Sequence, residues 1–205
     1  MIRRFLILIY LLSACTAQAQ ESDSTKKSWE VKANAFFNFI PDDFYIMPVV
    51  SADKGHLHLE TRYNYEDRNT FSLWGGYNFS LGKKLTLDAT PILGFVNGQT
   101  DGIAPGLKFT LSYWKLSLYH ESEYVISFND TNENFYYLWS EFGLTPSDWI
   151  TFGVVAQKTK AFGLDREVQR GAYATTEWKK FSFSGYYFNP FDDDQFFVLG
   201  ISYTF

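Results

Sequence analysis

The chain ends in a stretch whose polarity alternates with a period of two. Phe197, Leu199, Ile201, Tyr203 and Phe205 are large and apolar, while Gly200, Ser202 and Thr204 between them are small or polar. Only an extended strand sends alternate side chains to opposite faces. This stretch is therefore a strand with one face in an apolar medium and the other in a different one. The pattern recurs from Trp29 onward. In HLHLETRYNYE it sets Leu57, Leu59, Thr61, Tyr63 and Tyr65 against His56, His58, Glu60, Arg62 and Asn64. Twelve such stretches lie between Trp29 and Phe205, each near the ~9–11 residues that a tilted membrane-crossing strand needs. The poorest covers residues 43–51 and carries Pro48; without it the count becomes odd, or the barrel has ten strands and a loose N-terminal segment.

Which medium the apolar faces meet is a question for composition. Aromatic residues make up 20% of the 205 residues, yet mean hydropathy is only −0.20, and after the leader no stretch reaches the roughly 20 apolar residues of a membrane helix. Strands with one lipid-facing and one lumen-facing side reconcile these facts. A soluble sandwich would also alternate, but it has no reason to sort its turns. Here alternate turns differ in chemistry. ADKG, GKK, YWK, PSDW and WKK are rich in Lys and Trp, whereas PDD, EDRN, NGQTDG, NDTNEN, KAFGLD and PFDDD are rich in Asp and Asn. Trp114, Trp149 and Trp178 then form a belt at one interface. An even strand number returns both termini to that rim, the periplasmic one, and the acidic rim faces outward. The fold expected is all-β: a transmembrane, antiparallel, up-and-down β-barrel of about twelve strands over residues 29–205.

The first residues read as an export signal at 1–19: Arg3 and Arg4, the apolar run FLILIYLL, then small residues. Cleavage after Ala19 would leave Gln20 first. Leu12-Ser13-Ala14-Cys15 instead resembles a lipobox, which would make Cys15 a lipidated first residue; a spanning barrel needs no such anchor. Cys15 is the single cysteine, so an intramolecular disulfide is excluded. Residues 20–28 form a short polar lead-in. The run AQAQES at the end of the leader resembles leaders common in Bacteroidota.

A terminal strand that ends on Phe205 with apolar residues at every second position resembles the C-terminal signature of bacterial outer-membrane β-barrels. The resemblance implies a bacterial outer-membrane location. It also implies that Phe197, Leu199, Ile201, Tyr203 and Phe205 are read by the barrel insertion machinery, and that lipid and lipopolysaccharide surround the barrel. In length and in charged, aromatic strands such as HLHLETRYNYE the chain looks like the small twelve-stranded porins that pass acidic oligosaccharides. Those have a strongly basic lumen, whereas this one is mixed and leans acidic, so neutral or cationic solutes are the expectation here. A net charge of −5 gives no nucleic-acid footprint.

The inward positions supply the site expectations. His56, His58, Glu60, Arg62, Trp74, Asp88, Lys108, Tyr119, Glu121, Glu123, Trp139 and Glu141 should line the lumen, with Tyr137, Tyr173 and Arg170 beside them. Counting back from the turns pairs Glu121 with Glu141 and Glu123 with Trp139. The same count sets Gly106 and Gly153 beside the glutamates, and Asp88 and Glu60 beside Gly76. Short outer loops leave little to plug the lumen, so a passive porin-like channel for small hydrophilic solutes is favoured. Two other readings stand. One is a closed barrel, held by an internal ion-pair network, that stabilises the envelope. The other is a membrane-embedded hydrolase, because His120, Ser122 and Ser140 interrupt the lipid-facing stripes and Ser122 falls opposite Ser140. His beside Ser there resembles outer-membrane phospholipases. Paired glutamates suit glycoside hydrolysis, but short loops build no cleft. His56-x-His58 with Glu60 is a thin donor set for a metal. No metal, cofactor or nucleotide motif is evident, and oligomeric state is left open.

Overall fold

A computed structural model describes residues 28–159 and 168–205; the leader, with Cys15 and Ala19, and the KAFGLD turn lie outside the described residues. The chain forms β1 (Glu30–Ile40), β2 (Asp43–Lys54), β3 (Leu57–Tyr63), β4 (Phe71–Tyr77), β5 (Phe79–Gly82), β6 (Leu85–Asn97), β7 (Gly102–Tyr113), β8 (Leu116–Ser127), β9 (Phe135–Ser147), β10 (Ile150–Lys158), β11 (Gln169–Trp178), β12 (Phe181–Phe188) and β13 (Phe196–Thr204). Sequence neighbours pair antiparallel, except that β4 and β5 both pair with β6 and not with each other; β13 pairs with β1, so the sheet closes on itself.

The thirteen segments make twelve staves. β4 and β5 keep one register against β6: Gly76 faces Ile92, and Phe79 faces Ala89. The break between them falls opposite Pro91, which has no N–H to give the ladder. Residues 43–51 lie within β2, a full-length strand paired with β1 from Asp43 to Asp53. Its ladder to β3 begins at Val49, next to Pro48. The up-and-down barrel thus closes through the β1–β13 ladder.

Outside, the surface is a band of Leu, Phe, Val and Ile. Leu73, Leu93, Phe95, Val154 and Leu199 are all half or more exposed, as suits a barrel that spans a membrane. Two-residue turns close one rim: Gly55-His56, Trp114-Lys115, Asp148-Trp149 and Lys179-Lys180 each separate directly paired residues. Trp114, Trp149 and Trp178 project from this rim, with Lys115 and Lys179 over the rings of Trp114 and Trp178. Both ends of the barrel meet there, where the Phe205 N–H donates to the Val31 carbonyl.

Inside, the two halves differ. Toward the acidic rim the inward side chains are buried, and every stave contributes: Asn38, Met47, Arg62, Trp74, Val96, Ala104, Val125, Tyr137, Val155, Tyr173, Phe188 and Val198. Toward the lysine-tryptophan rim Lys32, Asn34, Ser51, Thr175, Ser184 and Ser202 are among the inward residues around a water-accessible vestibule of about 440 Å³. Glycine fits the dense half together. Gly94 lies opposite Trp74, and a Cβ there would come within 2.6 Å of the indole. Gly185 faces outward, where a Cβ would meet only Leu199 at 3.9 Å. Gly94→Ala should therefore destabilise the barrel by about 1–3 kcal/mol through overpacking. Gly185→Ala should stay within about 0.5 kcal/mol. Urea unfolding of the two variants in lipid, followed by tryptophan fluorescence, checks the contrast.

Candidate functional site: the lumen and its charged centre

The centre of the lumen is Arg62, which β3 points inward through the alternation that turns Thr61 and Tyr63 out. The residue is 1% exposed. A guanidinium removed from water is tolerable only when its donors meet acceptors, and four glutamates converge on it. Nε donates to Glu60 and Nη1 to Glu123; Nη1 also lies 3.3 Å from Glu66. Nη2 sits 2.9 Å from Glu121, close enough for an ion pair but off the hydrogen-bonding line. The guanidinium is sandwiched between Tyr65 and Trp74, with Cζ 4.3 and 4.4 Å from the ring centroids. A second cation closes the network: Lys108 Nζ is 2.7 Å from Glu60 and 3.6 Å from Glu121. Tyr119 and Tyr65 donate their hydroxyls to Glu121 at 2.5 and 3.2 Å.

Two members of this cluster arrive from a loop. Asn64 and Asn69 take positive φ, 56° and 50°, and so bend residues 64–70 back into the barrel mouth. Tyr65 packs against Tyr137 at 5.1 Å, and Glu66 accepts from Ser72 at 2.8 Å and from Trp74 at 3.2 Å. Asp67 accepts from Thr100 at 2.7 Å. This corrects two expectations. Tyr65 faces inward because β3 ends at Tyr63, and a short outer loop does fill part of the lumen.

Other placements also differ. His56 is not in the lumen: it belongs to the rim turn, stacked on Tyr77 at 4.8 Å, with Nδ1 2.7 Å from the Asn78 carbonyl. His58 does point inward, 2.8 Å from Asp53 and 3.7 Å from Glu60. No group of three metal-ligating side chains occurs among the described residues. Arg170 faces outward, because the preceding Gln169 is the buried residue of that pair. Asp88 lies in the wet half, accepting from Ser80 at 2.5 Å.

Register is the larger correction. Across β8 and β9, Tyr119 faces Glu141, Glu121 faces Trp139, and Glu123 faces Tyr137. Lys108, not a glycine, lies beside Glu121, and Gly106 lies beside Glu123. Gly153 faces Gly143, and Gly76 lies between His58 and Ile92. A 3₁₀ turn, Thr131–Glu133, with the Asn134 side chain accepting from the Ser127 N–H, sets the β8–β9 pairing. Ser122 consequently faces Leu138, and Ser140 faces His120, whose Nδ1 is 2.8 Å from the Ser140 oxygen. The other face of the imidazole environment is Phe109, at 5.0 Å between rings. Among the described residues no acid or amide orients the second nitrogen, which a nucleophile–base pair requires.

No protein-family model matches the sequence, and no curated protein matches it. Solved structures do match in fold. The KdgM porin is similar at a TM-score of 0.60 and 14% identity, over 86% of this chain and 99% of that one. The KdgM porin in complex with disordered oligogalacturonate gives 0.57 and 14%, over 86% and 99%. The outer membrane protein Omp33 of Acinetobacter baumannii gives 0.51 and 9%, over 87% and 98%. At these identities the likeness is one of fold.

The cluster also makes a prediction about stability. Arg62→Met removes the cation and leaves four buried carboxylates without it, which should cost about 3–5 kcal/mol. Arg62→Lys should recover part of this, because an ammonium cannot span the same acceptors. Urea midpoints of refolded protein in lipid vesicles measure both.

Proposed function

We propose that the protein is an outer-membrane, porin-like barrel for small hydrophilic solutes whose lumen is held closed at its middle. The observation that carries this is the junction of a wet vestibule with the Arg62 cluster. Small solutes entering from the lysine-tryptophan rim reach Glu60, Lys108 and Glu121, and beyond them lie the buried residues of the dense half. The fold it shares with porins supports the channel part of the reading. The loop at residues 64–70 is the movable part in this reading: Tyr65, Glu66 and Asp67 tie it into the lumen, and Asn64 to Ile46 and Arg68 to Asp43 anchor it at the rim. The same burial favours a second reading, a permanently closed barrel that stabilises the envelope.

Charge gives the closed state a pH dependence. Glu66 lies outside the strands, and burial raises its carboxyl above the ordinary value of 4.5, an effect that Arg62 and Ser72 only partly offset. A carboxyl that holds its proton more tightly in the docked loop than in water stabilises docking fully below pH 4.5. That contribution is lost as pH rises through the raised value. Planar-bilayer recordings should therefore show rare openings at low pH and more frequent ones as pH rises. Glu66→Gln should flatten the dependence, and Tyr65→Ala should raise open probability at every pH. A barrel silent at all pH values, in both variants as well, would remove the channel reading and leave the closed one.

A further inference from the structure

Glu60, Glu66, Glu121 and Glu123 each have a cation within ion-pair range. Glu141, which also points into the lumen, has none among the described residues. Its Oε1 instead accepts from Trp139 Nε1 at 2.8 Å and from the Tyr186 hydroxyl at 3.0 Å. These two donors fix the carboxylate without neutralising it. It borders a side pocket of about 100 Å³ whose other walls include Phe36, Tyr119, Tyr137, Trp139 and Tyr186. Phe36, Tyr119, Glu141 and Tyr186 also line the vestibule, so the pocket opens off it. Trp139 and Tyr186 meet edge-on, 5.1 Å between centroids, and form one corner. Gly143, two residues further along β9, leaves room for the Tyr173 hydroxyl, which would lie 2.3 Å from a Cβ there.

An unpaired carboxylate in a box of aromatic rings is suited to one ligand class. Ring faces attract a cation through their quadrupole, most strongly where water is excluded. A primary ammonium or a guanidinium would bring three or more N–H donors that need acceptors; besides Glu141 the walls offer aromatic rings, the Met47 thioether and tyrosine hydroxyls, of which those of Tyr65, Tyr119 and Tyr186 are already engaged with a carboxylate. A quaternary ammonium has no N–H to satisfy, and its head is comparable in size to the pocket. The hydroxyls of Ser51, Thr175, Ser184 and Ser202 on the vestibule wall can meet a hydrophilic remainder. We propose that the pocket at Glu141 is a binding site for small quaternary-ammonium solutes, with the head in the aromatic box and Glu141 as its counter-ion. The inference rests on the vestibule being open to small solutes, as proposed above, and not on conduction through the barrel.

The test is a titration of the detergent-refolded protein at pH 8 with choline, against its neutral isostere 3,3-dimethylbutan-1-ol, by calorimetry and tryptophan fluorescence. Choline should bind saturably and the alcohol should not. Glu141→Gln keeps an oxygen for Trp139 and Tyr186 and should weaken choline about tenfold or more. Gly185→Ala, on the outer face away from the pocket, should bind at the wild-type level. Equal binding of choline and the alcohol, no saturable choline binding, or choline binding unchanged in Glu141→Gln would each overturn the proposal. A barrel that binds choline but never conducts would sink the channel reading alone, and a conducting barrel without choline binding would sink this one alone.

Discussion

A single guanidinium in the middle of the barrel sets the terms for everything around it. Arg62 has essentially no contact with solvent, and desolvating a charge of that size is costly unless its donors are met. The acceptors come from four places in the chain: Glu60 on the same strand, Glu66 on the following loop, and Glu121 and Glu123 from β8. Strands far apart in sequence are thereby tied across the lumen, and the loop at residues 64–70 is drawn inward. Four carboxylates exceed the two cations, Arg62 and Lys108, which is why the hydroxyls of Tyr65, Tyr119 and Ser72 also belong to the network.

This centre divides the interior. On the acidic-rim side, inward Phe188, Phe196, Val96 and Val125 make a dry core of the kind usual in water-soluble proteins, while the outside of the same staves is an exposed apolar band. On the other side the small hydroxylated side chains of β11 to β13 do not fill the cylinder, so water and small solutes have room. The barrel is thus a cup with a charged floor. Glu141 sits at the edge of that floor, held by two neutral donors rather than by a cation.

Which side chains point inward was legible in the sequence almost throughout, because alternation follows from strand geometry alone. Glu60, Arg62, Trp74, Lys108, Glu121 and Glu141 could be placed on the lumen side by counting in twos. Which of them touch could not. A slip of two residues preserves every inward assignment, so the pattern carries no information about it. The β8–β9 pairing departs from the count from the turns by just such a slip, set by a 3₁₀ turn and the Asn134 side chain. That slip separates Glu121 from Glu141 and brings Ser140 to His120 in place of Ser122. His56 and Tyr65 were misread for another reason: each lies one or two residues beyond a strand end, where alternation stops applying.

The sequence by itself determined the barrel: period-two alternation, a high aromatic content without a membrane helix, and two chemically distinct sets of turns admit few other arrangements. Tertiary structure alone decided whether the lumen is filled. That depends on a left-handed turn at Asn64, on a glycine across from Trp74 and on registers that hold Arg62 among its glutamates. Each is a matter of where side chains from distant segments meet, and a one-dimensional pattern of polarity records only which face they are on.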